Sequence, residues 1–150
     1  MRFITYQTKY DENKLISLVK EKSCNYPEFT YVDSPESCAK IIEMVFDASN
    51  LPEERLWLIS LDGARKISGL FEVSHGTLMS SLVHPREIFS RAILSGAASI
   101  ILVHNHPSGM MEVSEQDREV SQRIKQAGEL IGIRLDDHVI VGSGDFISAM

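Results

Sequence analysis

Residues 101–117 run ILVHNHPSGMMEVSEQD. An apolar run stops at two histidines, a Pro-to-Gly turn follows, and a serine and an aspartate open the next segment. Side chains alternate along a strand, so His104 and His106 face one side and Asn105 the other. The end of a strand is a usual place for a site in an α/β sheet. Imidazole nitrogens are common zinc ligands, and two from one extended segment can share one ion. Asp117 falls in the first turn of the helix predicted next, from where its carboxylate can point back at the pair. Two histidines and one carboxylate leave a tetrahedral ion one corner for water, as in catalytic rather than structural sites. The same residues have a plainer reading: Ser114 at an N-cap and Asp117 near the positive helix end would simply start a helix. From spacing alone both readings stand.

The flanks are ordered by their punctuation. Ala98 to Val103 is an apolar strand leading into the histidines, and before it Pro85 starts a helix that Gly96 ends. After it, Val120, Ile124, Ala127 and Ile131 share one helical face, and Gly132 stops that helix. Leu135 to Val141 reads as a strand and Asp145 to Met150 as a last one. Upstream, Ser34 is an N-cap with Pro35 at the first helical position, and Cys38, Ile41, Ile42, Val45 and Phe46 recur on one face. Arg55 to Leu61 (RLWLISL) suits a buried strand. Asp62-Gly63 turns it back into a second strand, Lys66 to Ser74, and Thr77 to Val83 is expected as a third. Asp11 to Lys22 is expected as a short helix, with an irregular stretch after it. Residues 1–33 therefore read as an N-terminal extension packed on a domain of residues 34–150. The element order makes that domain α/β, a mixed sheet flanked by helices.

The chain has 150 residues, enough for one domain with a real core, and a net charge of −6. That balance argues against non-specific nucleic-acid binding, which depends on neutralising phosphates. No apolar run reaches bilayer length, and residues 1–14 lack the apolar stretch of a signal peptide. The expected setting is the cytoplasm, with no membrane partner. Cys24 and Cys38 form no CxxC pair and are expected to be reduced.

HNHPSG followed by S-x-x-D, with ten residues between His106 and Asp117, resembles the signature of JAB/MPN (JAMM) metalloproteins. SSLVHPREIFSRAILSGAASIILVHNHPSG and the later DHVIVG are similar to the RadC-like branch, over residues 35–150. The resemblance implies a cytidine-deaminase-like JAB/MPN architecture and one zinc ion per chain, held by His104, His106 and Asp117. It further implies hydrolysis of an amide or isopeptide bond in a peptide or isopeptide-linked protein. Glu54, just ahead of RLWLISLD, takes the place of the family's general base, with Glu53 as the fallback, and Ser114 that of a donor to the oxyanion. The alternative is a metal-binding accessory module in DNA repair or processing without peptidase activity. The family name keeps that nucleic-acid link open, although the helix-hairpin-helix of longer RadC-like proteins is not read in residues 1–33.

Metal-bound histidines usually give their second nitrogen to a carboxylate or carbonyl. Asp137, on the apolar face of its strand, is a candidate for that partner, against the plainer reading of a strand-end acid near water. His138 is expected to point the other way. Glu87 reads as surface charge, His84 as a helix cap and His75 as a turn residue. Met110 and Met111 either offer a soft surface to a substrate or tuck under the loop. Neither substrate nor oligomeric state is encoded in any pattern of the chain.

Overall fold

The computed structural model describes residues 1–29, 31–75 and 83–150. Ser34 starts helix α1 (Pro35–Phe46) with a capping box, its hydroxyl accepting from Ser37 N at 3.1 Å while Ser37 Oγ accepts from Ser34 N at 3.2 Å. The fully buried run after it is a strand. It pairs antiparallel with the next segment across a turn that Asp62 Oδ1 closes by accepting from Ala64 N and Lys66 N. With an N-terminal hairpin ahead of them, the strands so far are β1 (Arg2–Tyr10), β2 (Ile16–Asn25), β3 (Arg55–Leu61) and β4 (Ile67–His75). Helix α2 (Pro85–Leu94) leads to β5 (Ser99–Asn105), and α3 (Glu115–Ile131) crosses over to β6 (Arg134–Gly142) and β7 (Asp145–Ser148). The described residues form a seven-stranded mixed sheet in the order β2-β1-β4-β3-β5-β6-β7. β5 and β6 run parallel, as do β1 and β4; the other pairs are antiparallel.

Each face of the sheet has its own core. Trp57, Ile59, Ile101, Val103, Val139 and Val141 pack under α1. Leu56, Leu58, Ile100, Leu102 and Leu135 pack with α2 and α3. β3 and β5 supply both layers, which is why they read as continuous apolar runs. Full burial of each such side chain is worth roughly 1.5–3 kcal/mol. The expected helix over Asp11 to Lys22 is not formed. Asp11 Oδ1 accepts from Asn13 N and Leu15 N in a turn, and β2 begins at Ile16. Leu15, Ile16, Leu18 and Val19 mimic helical spacing, but pairing with the β-rich Phe3-Ile-Thr-Tyr segment prevails. β1 thereby joins the sheet beside β4, and Phe3 is buried in the α1-side core. Of the strand expected over Thr77 to Val83, all but Val83 lies outside the described residues. No described helix is long and apolar enough to cross a membrane.

One irregularity matters for the site. Ile100 pairs with Leu135 but Ile101 pairs with Asp137, so Asp136 is an extra residue in β6. Such a bulge reverses the alternation beyond it. Leu135 lies in the α3-side core, whereas Val139 and Val141 lie in the α1-side core.

Candidate metal centre

β5 delivers His104 at its last turn of alternation on the α3 side, and His106 follows just past the strand. Their Nε2 atoms lie 2.9 Å apart. α3 starts directly against them. Asp117 Oδ1 lies 3.1 Å from His104 Nε2, and Oδ2 lies 3.5 Å from His106 Nε2. Among the described residues these three form the one cluster of His, Cys, Asp or Glu side chains close enough to hold an ion. Asp117 also caps its helix: its Oδ2 accepts from Ser114 N at 2.8 Å, and Ser114 Oγ accepts from Asp117 N at 3.1 Å. The helix-cap reading is correct, and the cap is also what aims the carboxylate at the two histidines.

The donor set fits a divalent ion. Two imidazole nitrogens and a carboxylate oxygen are a donor set that zinc takes, and one such atom from each residue lies within 4.8 Å of the others. His106 Nδ1 lies 2.9 Å from the Met110 carbonyl oxygen. A carbonyl only accepts, so Nδ1 carries a proton, and in the neutral ring Nε2 faces the cluster with its lone pair. Hydrogen bonding to Asp117 raises the His106 pKa against the effect of burial. Burial pushes the Asp117 carboxyl up, but hydrogen bonds with His104 and His106 outweigh it and hold the group well below the usual carboxylate range. The site therefore keeps a carboxylate charged at 4% exposure, an environment that favours a cation.

An open cavity of about 270 Å³ lies in front of the cluster, lined by Glu54, His106, Ser114 and Asp117 among others. Glu54 lines this cavity, and its charge contributes to raising the His106 pKa. Its backbone is held from β5. Asn105, turned to the α1 side as expected, accepts from Arg55 N at 2.7 Å and donates to the Glu53 carbonyl at 3.0 Å. Those are the peptide groups on either side of Glu54. Since Ser114 Oγ accepts from Asp117 N, its hydroxyl proton is available to a partner in the cavity.

The family model for the RadC-like JAB domain matches residues 32–150. The chain belongs to this family. Relatives include a UPF0758 protein of Rubrobacter xylanophilus, 50% identical over 98 residues, 65% of this chain and 43% of the relative. Another, from Desulforudis audaxviator, is 43% identical over 117 residues, 78% of this chain and 50% of the relative. One from Clostridium kluyveri is 46% identical over 115 residues, 77% of this chain and 50% of the relative. The chain spans about half the length, or less, of these relatives, and their shared designation names no activity.

Within this RadC-like JAB domain, Asp137 does not stand behind either histidine of the cluster. Its Oδ1 accepts from Ser148 Oγ at 2.6 Å and from His138 N at 2.8 Å, on the side of the sheet where α1 packs. The Asp136 bulge moves it there. The place expected for it is taken by His138, whose Nε2 lies 2.8 Å from His104 Nδ1. Burial first, then the neighbouring His104, drives the His138 pKa down to about 3, so the ring is neutral. The DHVIVG segment held the signal, but which of its first two residues faced the pair depended on the bulge. His84 occupies the N-cap position of α2, though its side chain makes no capping hydrogen bond, and Glu87 in the first turn pairs with Arg91 at 3.3 Å. The two methionines divide the roles proposed for them. Met110 is exposed at the cavity. Met111 tucks under the loop, where a Cβ on Gly142 would stand 2.7 Å from its Cε and 2.8 Å from His106 O.

Proposed function

We propose that this RadC-like JAB domain is a zinc-dependent hydrolase of amide or isopeptide bonds. One observation carries the reading: His104, His106 and Asp117 each bring a ligand atom within 4.8 Å of the others, beside an open cavity lined by Glu54 and Ser114 as well as by His106 and Asp117. A zinc ion bound there supplies an acidified water and polarises a carbonyl. The protein's own groups do the rest. Glu54 accepts the proton from the attacking water and returns it to the leaving amine, so the base becomes the acid of the second half. Ser114 donates its hydroxyl to the oxygen that gains charge, a contact of the kind worth ~3 kcal/mol in the transition state. The Met110 carbonyl keeps His106 in the ligating tautomer throughout. Three protein ligands leave the fourth position for solvent or substrate.

The test uses chain purified without chelator. Elemental mass spectrometry is expected to find one zinc per chain, and mass spectrometry of linear and lysine-branched peptide mixtures to find cleavage. Glu54→Gln should lower cleavage by ~10²–10⁴-fold with zinc content unchanged. Undiminished cleavage by the Gln variant would remove Glu54 from the mechanism. Zinc without cleavage in the unaltered chain would favour the accessory-module reading.

A further inference from the structure

Behind the cluster runs a row of buried polar groups that the hydrolysis above does not use. His104 Nδ1, the ring nitrogen turned from Asp117, lies 2.8 Å from His138 Nε2. His138 Nδ1 lies 2.7 Å from Ser121 Oγ, which lies 3.0 Å from the Asp117 backbone carbonyl. Both rings are 0% exposed and Ser121 is 5% exposed. The row starts at the side chain of Asp117 and returns, one helical turn on, to its backbone.

The row holds one mobile proton per member and can be polarised in two directions. In the first, Ser121 donates to the Asp117 carbonyl, His138 donates from Nδ1 to Ser121, and His104 donates from Nδ1 to His138. His104 Nε2 is then a bare lone pair facing the cluster. In the second, the Ser121 hydroxyl turns to His138 Nδ1, His138 donates from Nε2 to His104 Nδ1, and His104 Nε2 donates to Asp117 Oδ1. Each arrangement makes three hydrogen bonds, and no proton enters or leaves. They differ towards the cluster at one atom, His104 Nε2. His106 lacks this freedom, because its Nδ1 faces a carbonyl. An ion between the three donors needs the first arrangement. Without an ion the first would set the His104 lone pair against the Asp117 carboxylate, and the second replaces that repulsion with a hydrogen bond.

We propose that His138 and Ser121 are positioning residues that switch His104 between these two tautomers, presenting a lone pair to a bound ion and an N–H to Asp117 in its absence. The inference rests on the metal-site reading above. It makes the site stable in both states without titrating a buried group.

Nitrogen-15 NMR of the imidazoles in the full chain, metal-free and with one equivalent of zinc, tests the switch directly. Zinc should move the His138 proton from Nε2 to Nδ1. In a chelator-competition titration, His138→Phe and Ser121→Ala should each weaken zinc binding by ~10–100-fold. His138→Gln should recover most of the loss, since its amide oxygen can accept from His104 and its NH₂ can donate to Ser121. Ser121→Ala removes only a hydroxyl and keeps the test open should His138→Phe not fold. Zinc bound with the His138 tautomer unchanged, or both variants binding within about twofold of the unaltered chain, would overturn the switch alone. No zinc binding by the unaltered chain would overturn the metal reading beneath it.

Discussion

Asn105 shows how one side chain ties two functional parts together. It sits between His104 and His106 in sequence, yet its amide turns to the other side of the sheet and brackets Glu54 from the peptide groups on either side. It is 1% exposed, and it also donates to the Ala48 carbonyl at 3.4 Å. Asn105→Ala should leave buried backbone groups unpaired and cost ~1–3 kcal/mol, read as a lower urea midpoint. Zinc content should be unchanged, because the ligands stay on β5 and α3. At this scale the sequence was highly legible. Alternation alone put Asn105 opposite the histidines, and S-x-x-D spacing put Asp117 within a helical turn of the cap. What alternation could not show is what each far side meets. Asp137 and His138 exchange the expected roles for that reason.

The exchange belongs to the elements. β6 takes in Asp136 as an extra residue, and the bulge is pinned by charge: Asp136 accepts from Ser99 Oγ at 2.7 Å, pairs with Arg65 at 3.1 Å and also pairs with Arg134. Burial pushes its carboxyl up, but Arg134, Ser99 and Arg65 prevail and hold it below the ordinary value. A carboxyl whose folded pKa is depressed stabilises the fold above its unfolded pKa and loses that contribution as pH falls through the folded one. Asp136→Asn should therefore be less stable than the unaltered chain at neutral pH, by ~1 kcal/mol after discounting for solvent. The gap should narrow as pH falls below the ordinary carboxylate range, in urea titrations from neutral into acid. Elements with strong ends were readable: α1 from Ser34-Pro35, β3 from an unbroken apolar run, α3 from Ser114 and Gly132. The β1–β2 hairpin was not, because Leu15, Ile16, Leu18 and Val19 satisfy a helical spacing as well as a strand, and only the partner strand decides.

For the whole molecule, the site is a junction. His104 and His106 come from the end of β5, Asp117 from the start of α3, and Glu54 from the entry to β3. An ion held there would join the end of β5 to the start of α3, so binding would add to global stability. Zinc at about 100 times its dissociation constant should contribute ~2.7 kcal/mol and raise Tm by ~5–10 °C, with chelator reversing the shift. Asp117→Ala should abolish the zinc-dependent part of that shift in a thermal melt.

The sequence by itself determined that His104 and His106 face one way, the caps that start α1 and α3, and the α/β class, because these depend on spacings within single strands and helix turns and on the order of the elements. Tertiary structure alone decided that residues 1–25 add a hairpin to the sheet, that Asp137 turns to the α1 side and that His138 backs His104. Those outcomes depend on which strands pair and on one extra residue in the pairing. Neither is a local property of the chain.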